Sequence, residues 1–417
     1  MRSHKTALAL LASVAFTAAA LSGATPATAA RHPLAMPRLD HVFLIMMENH
    51  GYVQIINNPY APFTNQEAQT ANLAANYFAV AHPSLTNYLE VVGGSNFGIT
   101  DDNAPDWGNA SCQPNIVSGV NNNEADPNPI CPIAGAGMDQ PTPALDCSNE
   151  VNGCPPGPVI NIDGVESYNA AATTGAMIGD QLVGASKSWK SYQESLPPGP
   201  VFGVNYGDGQ FSNLTVFDAN EQQQGETNSA EVQLYAVKHN PFAYFASVQN
   251  GGNPNNSLAN AVPFDTLYHD LATNQAPAFS FIAPNQCNDQ HGRGNAGPFC
   301  AFDPNDNGTQ NGLNPGLILQ GDQTVQRLVT AIKASPVWHK GHNAIIIVWD
   351  EDDYSVSPTT NQVALIVDTN YSRHRVTSNN FYNHFNLTNT LEAAFGLPCL
   401  NHACDAGSYP MADLFQK

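Results

Sequence analysis

The chain has 417 residues, with 14 Lys and Arg against 35 Asp and Glu and a formal net charge of −21 at pH 7. So few bases argue against a nucleic acid as partner. An anionic substrate would need a local positive site, such as a metal ion or helix N-termini, and the length allows one large α/β domain with insertions or two domains.

Arg2, His4 and Lys5 precede an apolar run from Ala7 to about Leu21, and "GATPATAA" follows it. This is the pattern of a secretory signal peptide, with cleavage expected after Ala29 or Ala30. Loss of residues 1–30, which hold Arg2 and Lys5 and no acids, makes the mature chain more negative still. No later stretch approaches about 18 uninterrupted apolar residues, so no transmembrane helix is expected. The mature protein is expected to be exported, either to a periplasm or outside the cell.

"HVFLIMMEN" (His41–Asn49) is nearly continuous in apolar residues and ends in Glu48 and Asn49, which suits a strand buried on both faces. "PFTNQEAQTANLAANYF" reads as a helix with Thr64 and Glu67 in capping-box register. In "AHPSLTNYLEVVGG", Leu85, Tyr88, Leu89 and Val92 make a helical stripe that starts at about Pro83–Leu85. Residues 100–165 are rich in Pro, Gly, Asn and Cys without periodicity and read as a disulfide-tied insertion.

"PFAYFASV" is a candidate strand, and "AFSFIAPNQCNDQHG" is a strand running into Asp289 and His291. Residues 294–316 read as a loop. "GDQTVQRLVTAIKAS" carries Val325, Leu328, Val329 and Ile332 at helical spacing. "NAIIIVWDEDD" repeats the form of the first strand and ends in Asp350 and Glu351, "QVALIVDTN" is another strand, and "NHFNLTNTLEAAFG" is a helix closed by Gly396 and Pro398. Strands alternating with helices indicate an α/β fold with a largely parallel central sheet.

All eight cysteines lie beyond the cleavage site, which in an exported protein favours disulfides. Local pairs are expected: Cys112 with Cys131, Cys147 with Cys154, Cys287 with Cys300, and Cys399 with Cys404. None has a zinc-site CxxC spacing.

Three strands thus end in groups able to hold a metal or a phosphate. In open α/β sheets, ligands bind outside the carboxyl ends of the strands. Asp, Glu and an Asn amide oxygen are hard ligands, suited to Mg²⁺, Ca²⁺ or Mn²⁺ and also taken by Zn²⁺. A solvated acidic turn and a structural calcium site are the other readings of "WDEDDY". Ser84, at a helix start, reads as a cap or as a nucleophile aided by the helix dipole. His82, His239, His291 and His384 are candidates for binding phosphate oxygens or protonating a leaving alkoxide.

The stretches "MMENHG", "AHPSLTNYLEVVGG" with "NFGITDD", "SWKSYQESLP", "VKHNPFAYF", "PNQCNDQHG", "IIIVWDEDD" and "NHFNLTNTLEAAFGLP" together resemble the phosphoesterase family of secreted acid phosphatases and non-zinc bacterial phospholipases C. They span about residues 40–398 in the family's order and look most like the acid phosphatase branch. The resemblance implies an alkaline-phosphatase-like fold, a single phosphoesterase domain over 31–417, one divalent metal ion and a hydroxyl nucleophile. Carried over by motif, it implies that Glu48, Asn49, Asp350 and Glu351 ligate the metal. Ser84 would be the nucleophile and also touch the metal. His82, His239, Asp289, His291 and His384 would surround the phosphate. Family members often carry Pro where this chain has Thr86, which makes Thr86 a second candidate hydroxyl.

The expected activity is hydrolysis of phosphomonoesters, phosphoinositides among them, through a phosphoserine. A phospholipase C acting on phospholipid headgroups is the nearest alternative. A sulfatase lacks support, because no Pro-Arg pair follows Ser84 in the Cys/Ser-x-Pro-x-Arg pattern. A non-enzymatic exported calcium-binding or adhesive protein is the alternative of another class. Oligomeric state is not legible in the sequence.

Overall fold

Buried apolar runs set the sheet. A computed structural model describes residues 35–97, 175–196, 234–249, 251–292, 315–353, 360–372 and 374–416, with Ile99, Pro105, Thr173, Val204 and Cys300 besides. The signal-peptide segment, most of the 100–165 insertion, and Cys112, Cys131, Cys147 and Cys154 lie outside the described residues.

In chain order the described strands are β1 (His41–Met47), β2 (Asn72–Ala74), β3 (Tyr77–Phe78), β4 (Trp189–Gln193), β5 (Ala261–Pro263), β6 (Phe279–Ala283), β7 (Asn343–Trp349), β8 (Leu365–Thr369), β9 (Thr377–Ser378) and β10 (Tyr382–Asn383). The α-helices are α1 (Tyr52–Ile55), α2 (Pro62–Thr70), α3 (Ser84–Gly93), α4 (Ile178–Gly184), α5 (Ala246–Gln249), α6 (Phe264–Thr273), α7 (Pro315–Ala334) and α8 (His384–Phe395). Eight strands form one sheet in the order β5-β4-β6-β1-β7-β8-β2-β9, and β10 pairs with β3 in a small second sheet. The centre, β4-β6-β1-β7, is parallel throughout. Only β8 runs against its neighbours β7 and β2. The α/β reading with a largely parallel sheet therefore holds.

The register at the centre matters for function. Met47 of β1 stands opposite Trp349 of β7, and Ile45 stands opposite Ile282 of β6. Parallel strands end on the same side, so the residues that follow all three emerge together. β6 and β7 are buried throughout and β1 beyond its first residue, as a sheet covered on both faces requires.

Helix α3 is buried along its whole length. Its apolar stripe faces the core, and the Thr388 hydroxyl of α8 donates to Glu90 O at 2.8 Å and Val91 O at 3.0 Å. The helix stops at Gly94, which takes a left-handed φ of 68°. A Cβ there would meet Leu400 O at 2.5 Å, so both backbone sign and space require glycine.

Several expectations need correction. "PFAYFASV" is not a strand. It forms a 3-10 turn, Pro241–Tyr244, and then the short helix α5. Pro241 opens the turn without needing an N–H partner, and Phe242 stacks on Trp189 with ring centroids 4.4 Å apart. The helix expected through "NLAANYF" ends at Thr70. Asn72 pulls the chain into β2 by donating to Leu414 O at 2.8 Å and accepting from Val376 N at 3.0 Å.

Nor does Thr64 cap α2. The Phe63 and Thr64 N–H groups donate to Asp322 of α7 at 3.0 and 2.7 Å, so a distant carboxylate does the capping. Helix α7 begins at Pro315, about a turn and a half before the periodic stretch. Strand β4, inside "SWKSYQ", has no alternating or continuous apolar pattern that would identify it. Two of the expected disulfides are present, Cys287–Cys300 and Cys399–Cys404. Among the described residues, no helix is long and apolar enough to cross a membrane.

Candidate active site

The carboxyl ends of β6, β1 and β7 build a buried acidic cluster. Glu48 follows β1 and its N–H donates to Asp289 O at 2.9 Å. Asp350 follows β7 and its N–H donates to Met47 O at 3.0 Å. Asn49 turns the chain through a left-handed φ of 52°, a conformation Asn tolerates, and donates its N–H to Asp350 Oδ1 at 3.0 Å. Glu48 and Asp350 are fully buried, and Asp289, Glu351 and Asp352 are nearly so.

Ser84 enters this cluster from the first residue of α3. Its Oγ lies 3.1 Å from Glu48 Oε2 and 3.2 Å from Glu351 Oε1. The N-cap is Pro83, and no side chain caps the helix. Ser84 is therefore not a helix cap. Its hydroxyl points at carboxylates instead of at backbone N–H groups. Thr86, two residues on, is equally buried, but its hydroxyl donates to Ile99 O at 3.4 Å.

Asn87 holds this arrangement. It is one turn from Ser84 on the same helix face. Its Oδ1 accepts from the Val80 and Ala81 N–H groups at 3.1 and 3.0 Å, and its Nδ2 donates to Ala81 O at 2.8 Å and Glu351 Oε2 at 3.1 Å. His82 places Nδ1 2.8 Å from Glu351 Oε2 and Nε2 3.6 Å from Asp352 Oδ1.

On the other side, the His239 ring stands between two acids, with Nε2 3.2 Å from Glu48 Oε1 and Nδ1 3.2 Å from Asp289 Oδ2. It stacks on Tyr88, centroids 5.4 Å apart and planes 7° apart. His291 takes its backbone N–H to Asp289 Oδ1 at 2.7 Å and its Nδ1 to Gly292 O at 2.8 Å. The Nδ1 must carry the proton to bond a carbonyl, which leaves Nε2 as acceptor for Lys238 Nζ at 3.2 Å. His384 is differently placed. Its Nε2 donates to Asp350 O at 2.7 Å and its Nδ1 accepts from the Tyr77 hydroxyl at 2.8 Å. Both ring nitrogens are thus occupied, Nε2 in holding Asp350 and Nδ1 by Tyr77.

Electrostatics follow from burial. Burial, then the charges of Asp350 and Asp289, raise the Glu48 carboxyl well above the usual carboxylate range. Burial, then the Glu351 charge, does the same to Asp350, and burial first does so to Asp289. Burial and then the Lys238 charge push His239 well below its ordinary value, and burial brings His384 down to about 4.

These groups fit a divalent cation. Among the described residues, no hydrogen bond of good geometry reaches three buried carboxylate oxygens, Glu48 Oε1, Asp289 Oδ2 and Asp350 Oδ2, although the first two lie 3.2 Å from the His239 ring nitrogens. Buried carboxylates this close repel one another unless a cation lies among them. The donors are hard oxygens. Glu48, His239 and His291 also bring one ligand-type atom each within 4.8 Å of one another, a grouping the sequence reading did not single out as a metal site.

Of the residues named from sequence, Glu48, Ser84, His82, His239, Asp289, His291, Asp350 and Glu351 come together. Asn49 joins them through its backbone N–H. Thr86 faces away, and His384 supports from behind. Sequence reading missed Lys238 and Asn87. Lys238 sits beside His239 in "VKHNPF", and Asn87 is three residues after Ser84, so helical spacing would have found the second.

The phosphoesterase family model matches residues 56–298. The chain is 24% identical over 384 residues to a phosphatidylinositol-3-phosphatase of Mycobacterium tuberculosis, covering 91% of this chain and 84% of that protein. It is 23% identical to an acid phosphatase of Aspergillus fumigatus over 52% of this chain and 30% of that one. Among solved structures, an alkaline phosphatase superfamily protein from Vibrio parahaemolyticus aligns with a TM-score of 0.44 and 10% identity, covering 87% of this chain and 68% of that one. The family match and the phosphatase relatives set aside the non-enzymatic reading. The chain belongs to the phosphoesterase family and is a hydrolase acting on phosphate esters.

Proposed function

We propose that the protein is an exported, metal-dependent phosphomonoesterase of the acid phosphatase type that works through a phosphoserine at Ser84. The observation that carries this reading is the Ser84 hydroxyl set between the Glu48 and Glu351 carboxylates at the N-terminus of α3. Glu48, Asn49, Asp350 and Glu351, with Ser84, would hold one divalent ion. When bound, such an ion supplies Lewis acidity toward the serine oxygen and a phosphate oxygen.

The protein's own groups supply the rest. The Ser84 proton passes to a carboxylate that it already faces. The Oγ–P bond forms as the bond from phosphorus to the ester oxygen breaks in line. The departing alkoxide takes a proton from His82, since burial disfavours a protonated His239 ring. Water then attacks phosphorus and returns a proton to that histidine, the P–Oγ bond breaks, and Ser84 recovers its proton from the carboxylate as phosphate leaves. The first turn of α3 favours the negative charge that gathers on the phosphoryl oxygens.

The Mycobacterium tuberculosis relative, by its name, acts on a phosphatidylinositol phosphate, which supports phosphoinositides as one substrate class for this chain. Hydrolysis of p-nitrophenyl phosphate across pH, with chelation and metal add-back, tests the central reading. An inositol-phospholipid and phosphatidylcholine panel run beside it separates a monoesterase from a phospholipase C. Diacylglycerol release without phosphate release would replace the first by the second.

A further inference from the structure

Among the described residues, Lys238 is the one lysine or arginine that is buried, at 6% exposure. A buried ammonium is costly unless anions surround it. Here it has them. Lys238 directly precedes His239, whose ring bridges Glu48 and Asp289, and its Nζ lies 3.2 Å from His291 Nε2. Those residues include the three whose ligand atoms converge within 4.8 Å. The acidic cluster thus has two halves sharing Glu48: Ser84, Asp350 and Glu351 on one side, His239, Asp289 and His291 on the other. The first half offers oxygen atoms, with His82 Nδ1 2.8 Å from Glu351 Oε2. In the second, the lone pair that His291 would give to a metal is already directed at an ammonium group.

We propose that Lys238 is the fixed cation of the Glu48–His239–Asp289–His291 half, its ammonium taking the place of a second metal ion and so limiting the site to one divalent ion. The proposal rests on the reading of the first half as a metal site. It makes Lys238 a positioning residue. It orients His291 by fixing its tautomer and offsets Asp289, and no bond is made or broken at its nitrogen. The same geometry explains how a chain so poor in bases tolerates an extra buried acid pair without a second ion.

The test is a count of zinc. The mature protein is stripped with chelator, exposed to Zn²⁺ alone, desalted, and the retained metal measured by plasma emission, for wild type, Lys238→Met and Lys238→Arg. Wild type and Lys238→Arg are expected to retain one ion and Lys238→Met two, because methionine removes the charge and frees His291 Nε2. Retention of one ion by folded Lys238→Met overturns the proposal. So do two ions in wild type, a result that needs no variant to fold. Zero ions in all three overturns the metal reading as well. Failure of the phosphatase reading is seen separately, as absence of wild-type hydrolysis.

Discussion

The Ser84 hydroxyl stands 3.1 Å from Glu48 Oε2, although 36 residues separate them. A strand end and a helix start are joined there by one short contact. Ser84→Ala should therefore lower turnover of p-nitrophenyl phosphate by on the order of a thousandfold or more, while inorganic phosphate still binds. Thr86→Ala, whose hydroxyl reaches only toward Ile99 O in the hydrogen bond described, should stay within about threefold of wild type. Steady-state kinetics on both variants check the pair, and the opposite ranking would move the nucleophile to Thr86.

Metal affinity should fall as pH falls. Burial holds the Glu48 and Asp350 carboxyls well above their ordinary values, so both carry protons at pH values where exposed acids do not. A cation must displace those protons to bind. Calorimetric titration of the stripped protein with Mg²⁺, Mn²⁺ or Zn²⁺ should show weaker binding at pH 5 than at pH 7, with proton release on binding. Equal affinity at the two values would contradict the buried-ligand account.

Asn87→Ala should damage stability and activity together. It leaves the buried Val80 and Ala81 N–H groups without their acceptor, a cost of about 1–3 kcal/mol per group, and it releases Glu351. Thermal unfolding should show a clear drop in Tm, and kcat should fall because the loop bearing His82 is no longer tied to α3.

Glu392 of α8 gives a pH effect away from the site. Burial, against weaker help from the Leu400 backbone and the Gln181 amide, raises its carboxyl from 4.5 to about 8. Between those values the folded chain keeps a proton that the unfolded chain has given up. The contribution is full below pH 4.5 and is lost as pH rises through about 8. The size is on the order of a few kcal/mol. Glu392→Gln should match wild type near pH 4.5 and exceed its Tm at pH 8, as thermal scans at the two values would show.

The centre of the fold was legible because His41–Met47 and Asn343–Trp349 are nearly pure apolar runs, as a covered parallel strand demands. Strand β4 was not, because Lys190, Ser191 and Gln193 find their partners in distant elements. "PFAYFASV" misled for a related reason. A run buried on all sides carries no period, so composition alone cannot separate strand from turn. In the site, acidic strand ends were readable as neighbours by topology. Lys238 acts through contacts made only after the Val237–His239 turn has packed, and no local pattern marks it, whereas Asn87 shares the helix face of Ser84. His384 was found by motif, but its direction, toward Asp350 O, is a tertiary fact.

The pairing of Met47 with Trp349 across β1 and β7 has a further consequence. Side chains on a strand alternate between faces, so Glu48 and Asp350 keep their relation only while the ladder stays in step. Replacing an apolar residue within either strand changes packing by degrees. Deleting one residue between His41 and Met47 would be a discrete event, turning the carboxylate to the opposite face or forcing the strand to slip. Length change is therefore tolerable in the connecting loops and not in β6, β1 and β7, and a scan of single-residue deletions should divide the chain along that line.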